Sequence, residues 1–421
     1  MLQELKRIYI WLLLMLLVLP LQAQTVIEET DEDNDTAAVS VDSMLVQRHD
    51  SLPWPQNVQA ELRELLQSDM FQTSQLGLMI YDLDADSTLF AHNERQLLRP
   101  ASTMKTITAI TALDRLGGSY QFVTELCYTG RIDSCTLHGD VYCVGGFDPR
   151  FGNDDMRAFV EALRRMGVDT IAGSVYADLS MKDGDRLGEG WCWDDDNPVL
   201  SPLLVSGKDQ FMERFLSRLQ EAGIFVRGAS GERRKPEDAN CVIRRFHTID
   251  QVLMRMLKES DNLYAESMFY QLAASTGNRP ASAKSARSVI RHLVTKVGLD
   301  ASRYRFADGS GLSLYNYVSA ELEVRLLRYA YQNENIFNHL YPALPIAGVD
   351  GTLRKRMTKG LCRGNVHAKT GTVTGISSLC GYLTAANGHH IAFAILNQGV
   401  MHGRNGRRFQ DEVCQILCQP Q

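Results

Sequence analysis

Ser102 and Lys105 stand three residues apart in the stretch Arg99-Pro100-Ala101-Ser102-Thr103-Met104-Lys105-Thr106. Pro100 suits a loop or a first helical turn, where a missing N–H matters little. A helix that begins here carries residues i and i+3 on one face, so the hydroxyl and the amine can touch. A serine hydroxyl is a weak nucleophile until a base removes its proton. A lysine can be that base when burial or nearby cations lower its pKa. The helix N-terminus also offers N–H groups to a developing oxyanion. Ser-x-x-Lys by itself arises by chance in a chain of 421 residues. It gains weight from Ser260-Asp261-Asn262 and Lys369-Thr370-Gly371, which follow it in order.

Lys6 and Arg7 precede an apolar run from Ile8 to Leu19, which Pro20 breaks before Leu21-Gln22-Ala23. This is the pattern of a secretory signal peptide cleaved near Ala23. The run is short for a membrane span, so a secreted, periplasmic protein with no stable span in its mature form is expected. Residues 24–52 follow as an acidic linker, with Glu28, Glu29, Asp31, Glu32, Asp33 and Asp35 and few large apolar residues. The net charge of −6, without a basic block, gives no sign of a nucleic-acid partner. The nine cysteines form no zinc-like cluster, so no metal or cofactor is expected. Most read as small buried residues, with Cys127, Cys135 and Cys143 as candidate neighbours across a sheet.

From Pro53 the pattern is globular. A helix is expected over 57–68, a strand over 76–83 and its hairpin partner over 87–92. The Ser102 helix ends at Gly117-Gly118. Residues 119–245 alternate strand-like pieces (122–128, 136–144) with helical ones (156–166, 210–222), and separate the first motif from the second. They read as an inserted domain, leaving 53–118 and 246–421 as the catalytic domain. A helical pattern over 249–272 is interrupted at Ser260-Asp261-Asn262. Further helices are expected over 283–297 and 319–331. Three strands (366–374, 379–383, 390–397) follow, with Asn387-Gly388 as a hairpin turn, and a closing helix spans 407–418. An early hairpin and three late strands imply one mixed sheet built from both ends of the chain.

Ser-x-x-Lys, Ser-Asp-Asn and Lys-Thr-Gly together are the signature of serine β-lactamases and penicillin-binding proteins. The chemistry fits acyl transfer. Ser102 attacks a carbonyl and Lys105 takes its proton. Ser260 relays a proton to the leaving amine, and Asn262 holds Lys105 and the substrate amide. Lys369 and Thr370 meet a substrate carboxylate, and Gly371 lets the substrate backbone approach the strand. The N–H groups of Ser102 and Thr372 form an oxyanion hole.

The resemblance extends to Gly145-Gly146-Phe147-Asp148-Pro149, Asp308-Gly309-Ser310-Gly311-Leu312-Ser313 and Ala347-Gly348-Val349-Asp350-Gly351-Thr352-Leu353. With these, residues 55–415 resemble the D-Ala-D-Ala carboxypeptidase/endopeptidase family of low-molecular-mass class C penicillin-binding proteins (peptidase family S13). The resemblance implies an α/β (α+β) transpeptidase-like domain, an antiparallel sheet flanked by helices, with a smaller α/β domain inserted. It implies cleavage of peptidoglycan stem peptides or their crosslinks through an acyl-enzyme, with β-lactams as covalent inhibitors. About 154 residues separate Lys105 from Ser260, fewer than in full-length members, so a further nested domain is absent. The family's Gly-Gly-Gly-Asp-Pro reads Gly-Gly-Phe-Asp-Pro here. The resemblance assigns Asp148 to the amine of the substrate's diamino acid; a turn-stabilising role is the alternative.

His367, His389 and His390 read as structural or surface residues, and Asp350 as shaping a loop. Trp191 and Trp193 read as packing of the inserted domain, and Arg354, Lys355 and Arg356 as a solvated basic face or a contact with anionic wall polymer. Two rival functions remain at this point. One is a serine β-lactamase, whose deacylating glutamate motif is not evident. The other is a non-catalytic peptidoglycan-binding or β-lactam-sensing protein, which would not need Ser102, Lys105, Ser260, Asn262 and Lys369 together.

Overall fold

Both ends of the chain meet in one sheet. The computed structural model describes residues 52–419; the expected signal peptide and nearly all of the acidic linker lie outside that range. Strands run in the order His367–Val373, Ile376–Thr384, His390–Gln398, Gln75–Asp82, Ser87–His92. Each neighbouring pair is antiparallel, as the family resemblance implies, so the sheet is not the mixed one that the strand positions suggest. The reason is connectivity: tight hairpins join consecutive strands, and the first strand lies against the last with Gln75 opposite Gln398 and Asp82 opposite Ile391. At the Asn387-Gly388 hairpin, Gly388 adopts a φ of 87°, a left-handed conformation that favours glycine.

The central strands are apolar nearly throughout because helices cover both faces. Residues 391–397 of the last strand are all buried. The helix Ala320–Tyr331 packs on this strand and its first neighbour, and the closing helix Gly403–Cys418 packs on the strand Ile376–Thr384 and on the first helix, Gln56–Leu65. Between the two halves of the sheet come the helices Met104–Leu116, Ile249–Lys258, Asn262–Ala274 and Ala283–Lys296. Their apolar stripes, with Ile107, Ile110, Leu253, Met256, Met268 and Phe269, build one large core. A further helix, Glu334–Ala343, is not among those that periodicity marks, and Pro342 sits near its C-terminal end.

Residues 121–248 make their own sheets. One runs Ser230–Glu232, Val175–Asp178, Val141–Val144, Gln121–Tyr128, Asn240–Thr248; a smaller one runs Arg131–Asp133, Thr136–His138, Thr170–Ile171, Phe225–Val226. A second core fills this region, with Phe151, Phe159, Phe211 and Phe215 in mutual ring contact. The single strand expected over 136–144 is broken at Gly139-Asp140. There Asp140 Oδ1 accepts from Ser174 N at 2.7 Å, and a Cβ on Gly139 would lie 1.8 Å from Thr129 O, so the chain must turn. Phe122, Phe147, Leu200 and Leu204 leave this region to join the larger core.

All nine cysteines carry free thiols. Cys127 and Cys143 lie on adjacent strands, while Cys127 stands directly opposite Cys241. Cys135 sits apart, at a positive φ of 65° beside the strand Thr136–His138.

Candidate active site

The stretch around Ser102 is a turn before it is a helix. Pro100 takes a helical conformation, Ala101–Thr103 form one tight 3₁₀ turn, and the α-helix proper runs Met104–Leu116. Ala101 holds a φ of 48°, a strained value for a residue with a Cβ and one often found where function fixes the backbone. Two glycines allow other segments to close on this turn. A Cβ on Gly311 would lie 1.8 Å from Ala101 O, and one on Gly371 would lie 2.6 Å from Pro100 O and 3.1 Å from Ser102 N.

Lys105 is fully buried. Its Nζ lies 2.9 Å from Ser102 Oγ, 2.7 Å from Asn262 Oδ1 and 2.9 Å from Ser310 O. The two amide oxygens can only accept, so they take two hydrogens from the amine. A neutral amine then has its lone pair left for the Ser102 hydroxyl, which is the arrangement a general base requires. Asn262 opens the helix Asn262–Ala274. Asp261 caps that helix, with Oδ1 accepting from Tyr264 N at 3.3 Å, and Oδ2 accepts from Arg255 Nε at 2.8 Å. Ser260, at a φ of 60°, turns the other way. Its Oγ accepts from Lys369 Nζ at 2.9 Å. The short turn between two helices thus touches both lysines, Asn262 meeting Lys105 and Ser260 meeting Lys369.

Lys369 is also fully buried, on an edge strand, and its Nζ donates to Thr370 O at 2.7 Å. Thr370 Oγ1 donates to Thr352 Oγ1 at 2.8 Å, within the stretch 347–353 that the resemblance marks without a role. The loop that carries Thr352 is tied down by Asp350, which pairs with Lys258 Nζ at 2.7 Å and accepts from Ile346 N at 2.8 Å. Thr372 follows on the same strand as Lys369, opposite Ser377.

The carbonyl of Ser310 is aimed by a buried carboxylate network. Asp308 accepts from Gly311 N, Ser313 N and Asn316 Nδ2 at 2.7–2.9 Å. Glu266 accepts from Gly309 N at 3.1 Å and Ser310 N at 2.8 Å. Burial, reinforced by the charge of Asp308, pushes the Glu266 carboxyl up to about 8. Trp191 Nε1 donates to Asp308 Oδ2 at 2.9 Å, so this tryptophan braces the glycine-rich loop. Trp193 is 93 % exposed. Neither fills the second core, as the sequence had suggested for packing of the inserted domain.

Asp148 lies elsewhere in its own network. Its side chain is fully buried, Oδ2 is 2.7 Å from His247 Nδ1 and Oδ1 accepts from Arg150 N at 3.0 Å. Each oxygen thus already has a partner within the protein, which fits a turn-stabilising role. The preceding residue, Phe147, holds a φ of 52° where the family pattern has glycine. Its ring packs 5.8 Å from that of Tyr270, and its carbonyl accepts from Ser267 Oγ. The Gly145-Gly146-Phe147 turn therefore anchors the second core to the helix that Asn262 opens.

The remaining candidates have structural partners. His389 pairs with Asp82 and His390 with Asp84, and His367 stacks on Tyr341 at 4.0 Å. Arg356 pairs with Asp411 at 2.6 Å, while Arg354 and Lys355 are exposed. Among the described residues no group of three or more His, Cys, Asp or Glu is placed to hold a metal ion, and no helix is long and apolar enough to cross a membrane.

The chain is similar to known proteins in sequence and in fold. The chain is 25% identical over 416 residues to the D-alanyl-D-alanine carboxypeptidase DacB of Haemophilus influenzae, covering 78% of this chain and 86% of that protein. It is 26% identical to a D-alanyl-D-alanine carboxypeptidase of Actinomadura, covering 80% and 81%. In fold it matches the crystal structure of penicillin binding protein 4 from Haemophilus influenzae with a TM-score of 0.78 at 22% identity, covering 85% of this chain and 99% of that one. A predatory peptidoglycan endopeptidase of Bdellovibrio bacteriovorus matches with a TM-score of 0.55 at 19% identity, covering 82% and 92%. The family model for D-Ala-D-Ala carboxypeptidase 3 (S13) matches residues 58–206 and 203–419, nearly the whole described chain. The protein therefore belongs to the D-Ala-D-Ala carboxypeptidase 3 (S13) family.

Proposed function

We propose that this chain is a serine DD-carboxypeptidase/DD-endopeptidase of peptidoglycan stem peptides, that Ser102 is its acyl-carrying residue, and that penicillin acylates the same atom. The observation that carries the reading is the set of contacts around Lys105 Nζ: two acceptor-only oxygens and the Ser102 hydroxyl, all within 2.9 Å.

Lys105, as the neutral amine, takes the Ser102 proton while Oγ attacks the carbonyl of the penultimate D-Ala. The N–H groups of Ser102 and Thr372 receive the oxyanion. Lys369 and Thr370 hold the terminal carboxylate; the ammonium supplies charge and the hydroxyl supplies direction. Ser260, in hydrogen-bond contact with Lys369, relays to the leaving amine the proton that Lys105 took, which returns Lys105 to the neutral amine. Free D-Ala departs and an ester remains on Ser102. Water, deprotonated by the same base, then hydrolyses the ester and restores the hydroxyl. When the leaving amine belongs to a neighbouring stem peptide, the same steps open a crosslink.

Residues 119–245 form, in this reading, a lobe inserted between the first and second motifs, joined to the catalytic part through the Phe147 turn. A signal peptide ending near Ala23 places the enzyme outside the cytoplasm, where its polymeric substrate lies. The test is digestion of a synthetic pentapeptide ending in D-Ala-D-Ala and of a crosslinked stem-peptide dimer, with products identified by mass. Release of D-Ala, of monomers, or of both is expected from the wild type and not from Ser102→Ala. Intact peptides after incubation with an enzyme that rapidly destroys penicillin would instead mark a β-lactamase.

A further inference from the structure

Glu323 lies against the nucleophile turn. It belongs to the helix Ala320–Tyr331, is 1% exposed, and touches Thr103, the residue after Ser102. Thr103 Oγ1 lies 2.6 Å from Glu323 Oε1 and 2.9 Å from the Pro100 carbonyl oxygen. The threonine hydroxyl has one hydrogen, and the carbonyl can only accept. Both contacts can be hydrogen bonds at once only if the carboxyl brings the second hydrogen. Glu323 Oε2 is buried, and beyond Thr103 the carboxyl has only the weak donor of the Cys380 thiol beside it. The thiol hydrogen goes to Thr106, so an ionised carboxylate would be poorly satisfied, which costs far more than a poorly satisfied neutral acid.

The groups that touch Glu323 are uncharged; the nearest cation on the neighbouring strand is Lys369, opposite Cys380, which is turned to Ser260. Thr103 comes from the nucleophile turn, and the Cys380 thiol comes from the strand Ile376–Thr384, where it donates to Thr106 Oγ1. On its own helix, Glu321 turns away to Arg95 at 3.4 Å. Burial pushes the Glu323 carboxyl up to about 7, against the opposing pull of Thr103 and Cys380.

We propose that Glu323 is held as the neutral acid and donates a hydrogen bond to Thr103, which makes it a positioning residue that fixes the turn presenting Ser102. The proposal rests on Ser102 being the nucleophile. On ionisation the donor is lost, and the carboxylate and the Pro100 carbonyl compete for a single hydrogen. The turn then loosens and acylation slows. Glu323→Gln keeps a neutral donor at the same reach and removes the titration.

The test measures the second-order rate of penicillin acylation from about pH 6 to about pH 8.5 for the wild type, Glu323→Gln and Glu323→Ala. Rates are compared as ratios to the wild type, so that titration of Lys105 cancels. Glu323→Gln should stay within about 3-fold of the wild type near pH 6 and exceed it by about 10-fold or more near pH 8.5, with Glu323→Ala about 10-fold slow near pH 6. A ratio for Glu323→Gln that is constant across the range, or a Gln variant as slow as the Ala variant, overturns the proposal. A second readout does not need activity or the Ala variant. The infrared difference between the wild type and Glu323→Gln near pH 6 should show loss of a protonated carboxyl stretch; loss of a carboxylate band overturns the proposal. If penicillin acylates no form of the protein, the functional reading fails, and the infrared result alone decides the state of Glu323.

Discussion

At the scale of single residues, two buried lysines divide the labour. Lys105 faces a hydroxyl and two carbonyl oxygens; Lys369 faces the Ser260 hydroxyl and a strand carbonyl. In the proposed reaction the first moves a proton and the second holds a negative charge, so their loss should differ in kind. Lys105→Ala is expected to slow acylation by about 10²–10⁴-fold with substrate binding little changed, read from single-turnover kinetics. Lys369→Ala is expected to cost roughly 10- to 100-fold in kcat/KM for peptides with a free terminal carboxylate. It should cost much less for an otherwise equal peptide whose terminus is amidated. The contacts among Ser102, Lys105 and Asn262, and between Ser260 and Lys369, were legible in the sequence because the types and short spacings of these residues suggest them. Glu323 was not. It acts on Thr103 across a separation of 220 residues, and a lone glutamate in a helical pattern gives no sign that it faces inward.

At the scale of elements, close backbone approach sets the site. The edge strand His367–Val373 and the glycine-rich loop both press on the 3₁₀ turn Ala101–Thr103, at Gly371 and Gly311. Gly371→Ala would put a methyl 2.6 Å from Pro100 O. The strand or the turn must shift, and acylation should fall by about 100-fold, while circular dichroism shows the fold retained. Gly311→Ala combines a 1.8 Å clash with Ala101 O and a φ of 84°, so it should lower Tm as well as activity. The hairpins were readable from turn residues and alternating patterns, and the helix break at Ser260-Asp261-Asn262 from the interruption of an apolar stripe. The break at Gly139-Asp140 was hidden because Val141–Val144 continues the apolar pattern after it. The antiparallel course of the whole sheet depends on pairing between residues 75–82 and 391–398, which local patterns do not encode.

At the scale of the molecule, buried carboxyls couple the active-site region to global stability. Glu266 and Glu323 are pushed up to about 8 and about 7 from an ordinary value of 4.5. The folded protein therefore keeps protons that the unfolded chain releases, and stability falls as pH rises from about 4.5 to about 8. His367, held below its ordinary value by burial, acts in the opposite sense at the acid end. Tm should accordingly drop between about pH 6.5 and about pH 8.5, and Glu323→Gln should reduce that drop. An equal drop in both proteins would show that Glu323 does not hold its proton in the fold. The second core, with its own sheets, is tied to the larger core through Phe147 and Tyr270, and that link also steadies the helix that Asn262 opens.

In the proposed reaction Ser102 carries the acyl group. The most direct measurement is the intact mass of the purified protein over time with penicillin, beside Ser102→Ala. The wild type should gain the mass of one penicillin and keep it while the Ala variant gains none. An adduct on Ser102→Ala, or none on a wild type that cleaves stem peptides, would contradict the claim.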